Sequence, residues 1–287
     1  MRGIVGQLIT LQKLRIGFAI AASAMAGMLV TKGHSLTFLQ ASGFALAVLG
    51  GAGAAGAFNH YFDRDIDLRM RRTRGRPFAT GVLQSSAWWP ISFAILFVAS
   101  FALAVATGGM VAGLYVFLGA FVYGIVYTVW LKRRTPWNIV VGGLAGSFAV
   151  LAGAAAIDPA PQIVPCILAV VLFLWTPPHF WSLAAARADD YASAGVPMLP
   201  VTAPQAVWTW AILAHVAALA ALSLLPLAFG LGLSYGAGAL IGGAYFLWRS
   251  WRLCRWPGRD SAIGNFKASL VQLSLLILGV VADRFVG

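Results

Sequence analysis

The chain contains no glutamate: all eight of its acidic residues are aspartates, and charged residues make up only 10% of its 287 positions. A soluble domain carries about 25% charged residues, so a water-exposed globule is excluded. Cysteine is scarce as well. Cys166 and Cys254 stand alone in apolar runs, without CxxC or Cys/His ligand spacing, which excludes a disulfide framework and a finger-type zinc site. No soluble domain can be carved out, since the longest polar stretches run only near 61–87 and 186–206. The N-terminus carries no cleavable leader pattern with a small-residue exit site and no Arg/Ser-rich transit pattern. The first apolar run is therefore expected to stay in the protein, and a bacterial inner membrane is preferred to a mitochondrial one.

What is present is apolar. Hydrophobic residues reach 60% and the mean hydropathy is +0.84. Windows of about 20 residues, the length that crosses the hydrocarbon core, pick out nine spans: 14–32, 37–60, 88–106, 109–131, 137–157, 162–185, 207–228, 230–253 and 264–283. Tight turns are expected at Gly108–Gly109 and around Gly230 and Gly232. The expectation is an all-α polytopic membrane protein, nine transmembrane helices around a central cavity, forming a single membrane-embedded domain over 1–287.

The net charge of +12 reads as topology and as an anionic ligand, not as nucleic-acid binding. Placing the N-terminus in the cytoplasm leaves only Lys32 and Arg284, of the 20 Lys and Arg, on the opposite side. That asymmetry obeys the positive-inside rule. Arg249, Arg252, Arg255 and Arg259 read as orientation signals and contacts to anionic membrane lipids. Both long polar stretches follow even-numbered spans, so spans two and six are expected to deliver polar groups to one cytoplasmic mouth.

Five of the eight aspartates lie in two short segments. In the first, Asn59, Asp63 and Asp67 fall at i, i+4 and i+8, one stripe of a helix. Mg2+ takes hard oxygen ligands: one or two carboxylates, waters and substrate phosphates. A solvated helix end explains one such Asp; three oxygen donors in register at the end of an apolar helix point to a metal site. Asp65 faces elsewhere and is expected to pair with one of the nearby arginines. Arg69, Arg71, Arg72, Arg74 and Arg76 follow directly, more than topology requires, and suit an anionic leaving group. An ion or metabolite transporter would also carry intramembrane carboxylates, yet aspartates beside so many arginines favour an anion–metal site.

Asn59-x-x-x-Asp63-x-x-x-Asp67 at the end of a second span resembles the first signature of the UbiA-type intramembrane prenyltransferases. Met70, Arg72-Thr73 and Arg76-Pro77 extend the likeness toward the heme-farnesylating branch of that family. So do Tyr127 to Thr135 with Asn138-Ile139, Trp175-Thr176-Pro177-Pro178-His179-Phe180-Trp181, and Asp189-Asp190-Tyr191 running to Pro200. The matches cover about 59 to 200, in order, with Asn265-Phe266-Lys267 beyond.

The resemblance implies a Mg2+-dependent transfer of farnesyl from farnesyl diphosphate to a vinyl group of heme b, followed by water capture. It also implies a downstream partner: heme A synthase or terminal oxidase assembly factors. A quinone or chlorophyll precursor is the alternative acceptor within the family. Asn59, Asp63, Asp67, Asp189 and Asp190 form the metal set, and Asp63, Asp67 and His179 the catalytic set. Arg72, Arg76, Tyr127, Lys132, Arg133 and Arg187 are the substrate-binding residues. Tyr61, Phe62, Tyr123 and Trp130 are further aromatic faces near cationic character, although packing explains each of them alone. The second aspartate segment is thinner than the family pattern, and its adjacent residues point about 100° apart, so one of them is expected to bind metal. His179, after an expected helix break at Pro177-Pro178, is placed in the heme pocket as iron ligand, propionate partner or base. His60 is a supporting neighbour of Asn59, whereas His34 and His215 are ordinary. Lys132 and Arg133 serve either as snorkelling anchors or as anion ligands.

Overall fold

In the computed structural model, residues 6–7 and 11–286 are described, and among them every regular element is helical. Arg2, counted with the cytoplasmic charges, lies outside the described residues. The long rods are α1 (Leu14–Val30), α2 (Phe38–Phe62), α4 (Trp88–Gly108), α5 (Met110–Phe121, continued by a π-helix over Val122–Leu131) and α6–α7 (Asn138–Gly142 and Leu144–Ala155). They continue with α8 (Ile163–Ala185), α11 (Gln205–Leu224, with a short 3-10 turn to Phe229), α12 (Leu233–Arg255) and α13 (Arg259–Val286). Short helices α3 (Arg64–Asp67), α9 (Ala188–Ser193) and α10 (Leu199–Thr202) sit in the two polar stretches.

The chain is an integral multi-pass membrane protein. Among the described residues, seven rods are long and apolar enough to cross a membrane. The other two expected spans fall short on one count each: α1 has 17 residues, and α12 ends in Arg249, Arg252 and Arg255, which lower its apolarity.

Local chemistry sets the ends. Thr37 and Gln40 form a reciprocal capping box that opens α2, satisfying two otherwise orphaned donors. Gly109, at φ 87°, turns α4 directly into α5, as the glycine pair suggests. Outside, Phe18, Ile95, Leu240 and Leu278 are exposed. Inside, small residues bring the rods together, the usual device where lipid removes the hydrophobic drive between helices. At the α1–α7 crossing a Cβ on Gly153 would lie 1.7 Å from the Ala24 carbonyl oxygen, and one on Gly27 2.1 Å from that of Val150. The largest core cluster surrounds α8 and is closed by α11, α12 and α13; a second joins α1, α2 and α7.

The break expected at Pro177-Pro178 is absent. Helix α8 runs on through both prolines, which are buried. Proline removes a donor, but buried neighbours hold the chain in register, as membrane helices allow.

Replacing Gly153 with alanine drives a methyl into backbone that has no room to yield. We expect a loss of about 1–3 kcal/mol, read as a lower midpoint of thermal unfolding in detergent. An unchanged midpoint would contradict the crossing.

Candidate active site

Helix α2 ends at Phe62, and Asp63 has φ −86° and ψ 6°, the sparsely populated bridge region where many active-site residues lie. The helical register survives the irregularity, because the Asp63 N–H donates to the Asn59 carbonyl at 3.0 Å and that of Asp67 to Asp63 at 2.8 Å. The stripe thus persists across a helix break. Asn59, Asp63 and Asp67 are 2%, 0% and 1% exposed.

A buried carboxylate must be neutralised or paired, and each of these has its own cation. Lys132 Nζ donates to Asp63 Oδ2. Arg76 grips both oxygens of Asp67 at 2.9 and 2.7 Å. The Asn59 amide donates to Asp63 Oδ2 at 2.7 Å and to Thr128 Oγ1 at 3.0 Å, while its oxygen accepts from Lys13 Nζ at 2.6 Å. Lys13 also donates to the Tyr123 hydroxyl at 2.8 Å. Burial, together with the nearby Arg76 and Lys132 charges, pushes the Lys13 amine well below its ordinary value. Asp63 Oδ1 is buried and has no hydrogen-bond partner.

The π-helix supplies one wall. Its i→i+5 bonding, seen in Lys132 N–H to the Tyr127 carbonyl at 2.8 Å, lets Tyr123, Thr128 and Lys132 all reach α2 or its partners. Tyr123 and Tyr127 stack with ring centres 5.7 Å apart. Trp130 instead turns outward, 47% exposed, and Tyr61 packs on Phe78 and Phe93; neither joins the polar cluster.

The two polar stretches do meet. The Arg71 N–H reaches Asp190 Oδ1 at 3.4 Å and Ser193 donates to the Arg69 carbonyl at 3.1 Å. Of the aspartate pair, Asp190 is turned in and Asp189 is exposed, the outcome of placing adjacent residues on one short helix. Arg187 approaches Asp190 at 3.9 Å. Arg72 is exposed and has no ion pair among the described residues. Arg133 is committed elsewhere: it binds Asp65 in bidentate fashion, both contacts 2.7 Å, and lies 3.6 Å from Asp63 Oδ1. That hydrogen bond holds the Asp65 carboxyl below the usual carboxylate range. Asp65 thus pairs with an arginine, but not with one of the nearby ones as expected: its partner is Arg133, just beyond the π-helix and 68 positions away.

His179 lies in a separate seam between α8 and α13. Its Nδ1 is 2.7 Å from Ser269 Oγ, and its ring stacks on Trp175 at 4.2 Å and tilts over Phe266 at 4.6 Å. Trp175 donates to the Ser269 carbonyl at 2.8 Å, and Asn265 bridges Ser182 and Ser250, each at 2.9 Å. Among the described residues, no hydrogen bond or ion pair joins this seam to the Asp63 cluster. His60 is buried beside Asn59 with Nδ1 unpartnered, and His215 bonds its own helix at Ala211.

The donor set suits Mg2+. Asp63 and Asp67 with the Asn59 oxygen are hard ligands, too few to fill an octahedron, which leaves places for phosphate oxygens and water. Asp63 Oδ1, which accepts no hydrogen bond and has the Arg133 guanidinium only at 3.6 Å, is an acceptor that such an ion could use. No group of three or more His, Cys, Asp or Glu side chains is poised to hold a metal by itself among the described residues. Sequence reasoning missed Lys13, Tyr123 as a hydrogen-bonding group, Thr128 and Ser269. Only the step of five from 123 to 128, π-helical rather than α-helical, could have pointed to two of them.

Removing Lys132 strands a buried carboxylate, a loss of about 3–5 kcal/mol. Lys132→Met should therefore lower the unfolding midpoint in metal-free buffer, and adding Asp63→Asn should restore much of it. Additive losses in the double variant would show that the two residues are not coupled.

Comparison with known proteins gives this geometry a setting. Residues 20–275 match the UbiA prenyltransferase family. A protoheme IX farnesyltransferase 2 from Paramagnetospirillum magneticum is 57% identical over 94% of both chains, and a protoheme IX farnesyltransferase 1 from the same organism is 48% identical over 97% of this chain and 98% of its own. Among solved structures, digeranylgeranylglyceryl phosphate synthase superposes with a TM-score of 0.80 at 17% identity, covering 98% of each chain. A UbiA homolog from Archaeoglobus fulgidus bound to GPP and Mg2+ gives 0.73 at 16%, covering 98% of this chain and all of that one. At those identities the structures show a shared fold. With a buried aspartate stripe, an all-helical membrane bundle and relatives matched almost end to end, the chain belongs to the UbiA prenyltransferase family.

Proposed function

We propose that the chain transfers a farnesyl group from farnesyl diphosphate to a vinyl group of heme b, giving heme O and diphosphate. The observation that carries this reading is the buried Asn59–Asp63–Asp67 array. It has one carboxylate oxygen that accepts no hydrogen bond and sits among cations at the end of an apolar helix. The names of the relatives supply the acceptor.

Asn59, Asp63 and Asp67 would hold Mg2+, with Asp190 as the contribution of the second stretch. Bound there, the ion would supply positive charge to the departing diphosphate. Arg72, Arg76 and Lys132 hold diphosphate oxygens; Arg72, like its neighbours Arg69, Arg71 and Arg74, is exposed and in no ion pair among the described residues. Arg133 acts by fixing the loop through Asp65, and Arg187 by steadying Asp190. As the allylic C–O bond breaks, its electron pair leaves with the diphosphate, and surrounding cations stabilise the charge that develops. The stacked Tyr123 and Tyr127 present π-faces to cationic character, and the apolar bundle keeps bulk water away. The vinyl π pair forms the new C–C bond. Water then adds to the adjacent carbon and loses a proton, leaving a hydroxyl. His179 belongs to the acceptor side.

The single membrane domain faces the cytoplasm with its polar mouth and N-terminus, spans the bacterial inner membrane nine times, and hands its product to heme A synthase or oxidase assembly factors.

Product mass decides the acceptor. Purified protein given farnesyl diphosphate, Mg2+ and heme b should yield the hydroxyethylfarnesyl adduct, whereas 4-hydroxybenzoate should remain unchanged; the reverse pattern would sink the assignment. Asp63→Asn and Asp67→Asn should each lower turnover by about 10²-fold or more, with membrane insertion intact. Near-normal turnover in both would remove the metal reading.

A further inference from the structure

Lys13 is the one cation of the cluster that no motif announces. It precedes α1 and has φ 47° and ψ 44°, the only non-glycine residue at positive φ among the described residues. Left-handed backbone costs an L-residue about 1–2 kcal/mol and is retained where surroundings enforce it, often at functional sites. Capping does not explain the residue. The Lys13 carbonyl accepts from Ile16 and Gly17, which any residue could do, and its side chain makes no capping bond. Instead, the side chain crosses to α2 and the π-helix, donating to Asn59 Oδ1 at 2.6 Å and Tyr123 OH at 2.8 Å.

Asn59 Oδ1 is thus occupied by an amine in the same site where Asp63 is covered by Lys132 and Asp67 by Arg76. An oxygen that accepts from Lys13 cannot at the same time offer that lone pair to a metal ion. We propose that Lys13 is a diphosphate-binding residue that exchanges partners: it holds Asn59 Oδ1 in the free enzyme and passes to a diphosphate oxygen when metal and diphosphate bind together. This rests on the reading of the Asn59–Asp63–Asp67 array as a metal–diphosphate site. Metal alone must displace Lys13 with nothing to receive it. Metal accompanied by diphosphate brings the acceptor that Lys13 needs.

The consequence is an inversion of sign. Binding of Mn2+, followed by its EPR signal on the full-length protein in detergent, is measured with and without inorganic pyrophosphate, and pyrophosphate binding is measured calorimetrically in Mn2+. Lys13→Met should bind Mn2+ alone several-fold more tightly than wild type, because an amide oxygen is freed. It should bind pyrophosphate with Mn2+ about tenfold or more weakly, because a charge-assisted hydrogen bond is lost. Lys13→Arg, which keeps donors on a long stem, should recover a substantial part of the pyrophosphate affinity. The thermal midpoint of each variant reports the fold.

A merely structural lysine would weaken both measurements together or neither, and either result overturns the proposal. If Asp63→Asn abolishes metal-dependent pyrophosphate binding and Lys13→Met leaves it intact, the site reading stands and the role of Lys13 falls. If wild type shows no synergy between Mn2+ and pyrophosphate, the site reading fails and this inference fails with it.

Discussion

Two carboxylates buried at the end of an apolar helix are the constraint on which this structure depends. Removing an unpaired carboxylate from water costs several kcal/mol even after relaxation, and Asp63 and Asp67 are almost completely inaccessible. The chain meets that cost with cations drawn from separate places. Lys132 comes from the end of the π-helix, Arg76 from the loop after α3, and Lys13, through Asn59, from the segment before α1. Charge balance therefore pins three distant segments to the mouth of α2. On the proposed function, the same set of cations is what a diphosphate would meet, so the groups that make the free site tolerable would also be those that a bound anion recruits.

The π-helix is the geometric counterpart of this constraint. At 100° per residue, Tyr123 and Thr128 would point about 140° apart on an α-helix, and one of them would face away from α2. With i→i+5 bonding the turn widens, and Thr128 donates back to the Tyr123 carbonyl at 2.8 Å while still accepting from Asn59. Such irregular turns cluster at functional sites. Here the reason is specific: a wall facing Asn59 and Asp63 has to present a hydroxyl, a phenol and an ammonium from one strip of surface.

This division explains what could be read without coordinates. Hydropathy located every long rod, because the length of a membrane span is imposed by the bilayer rather than by tertiary packing. The Asn59–Asp63–Asp67 register was legible although α2 ends between them, since backbone bonds bridge Asp63. The meeting of the two polar stretches followed from their parity in the span order. Lys13 was not legible, because a lysine near the start of a span is already accounted for by topology. The Asp65–Arg133 pair spans 68 positions and obeys no local periodicity. His179 shows a different failure. Its motif was visible, but its partners Ser269 and Phe266 lie on α13, and the two prolines before it look like a break because the pattern does not reveal how well they are buried.

Lysine and arginine make contacts of different geometry around the array. Arg133 holds Asp65 with a two-pronged fork, a geometry that resists rearrangement because two parallel bonds must break together. Arg76 instead reaches both oxygens of Asp67 from its single Nη1, a bifurcated contact without the second prong. Lysine has a compact ammonium on a flexible stem, and it can redirect one donor without losing the others. The two lysines are the groups that sit on Asn59 Oδ1 and Asp63 Oδ2, the atoms at the centre of the array, while Asp63 Oδ1 beside them has no hydrogen-bond partner. In the free site one arginine fork lies at the periphery and the two lysine point charges lie at the centre, so the contacts that metal and diphosphate would have to exchange, on the function proposed above, are those with the simplest geometry.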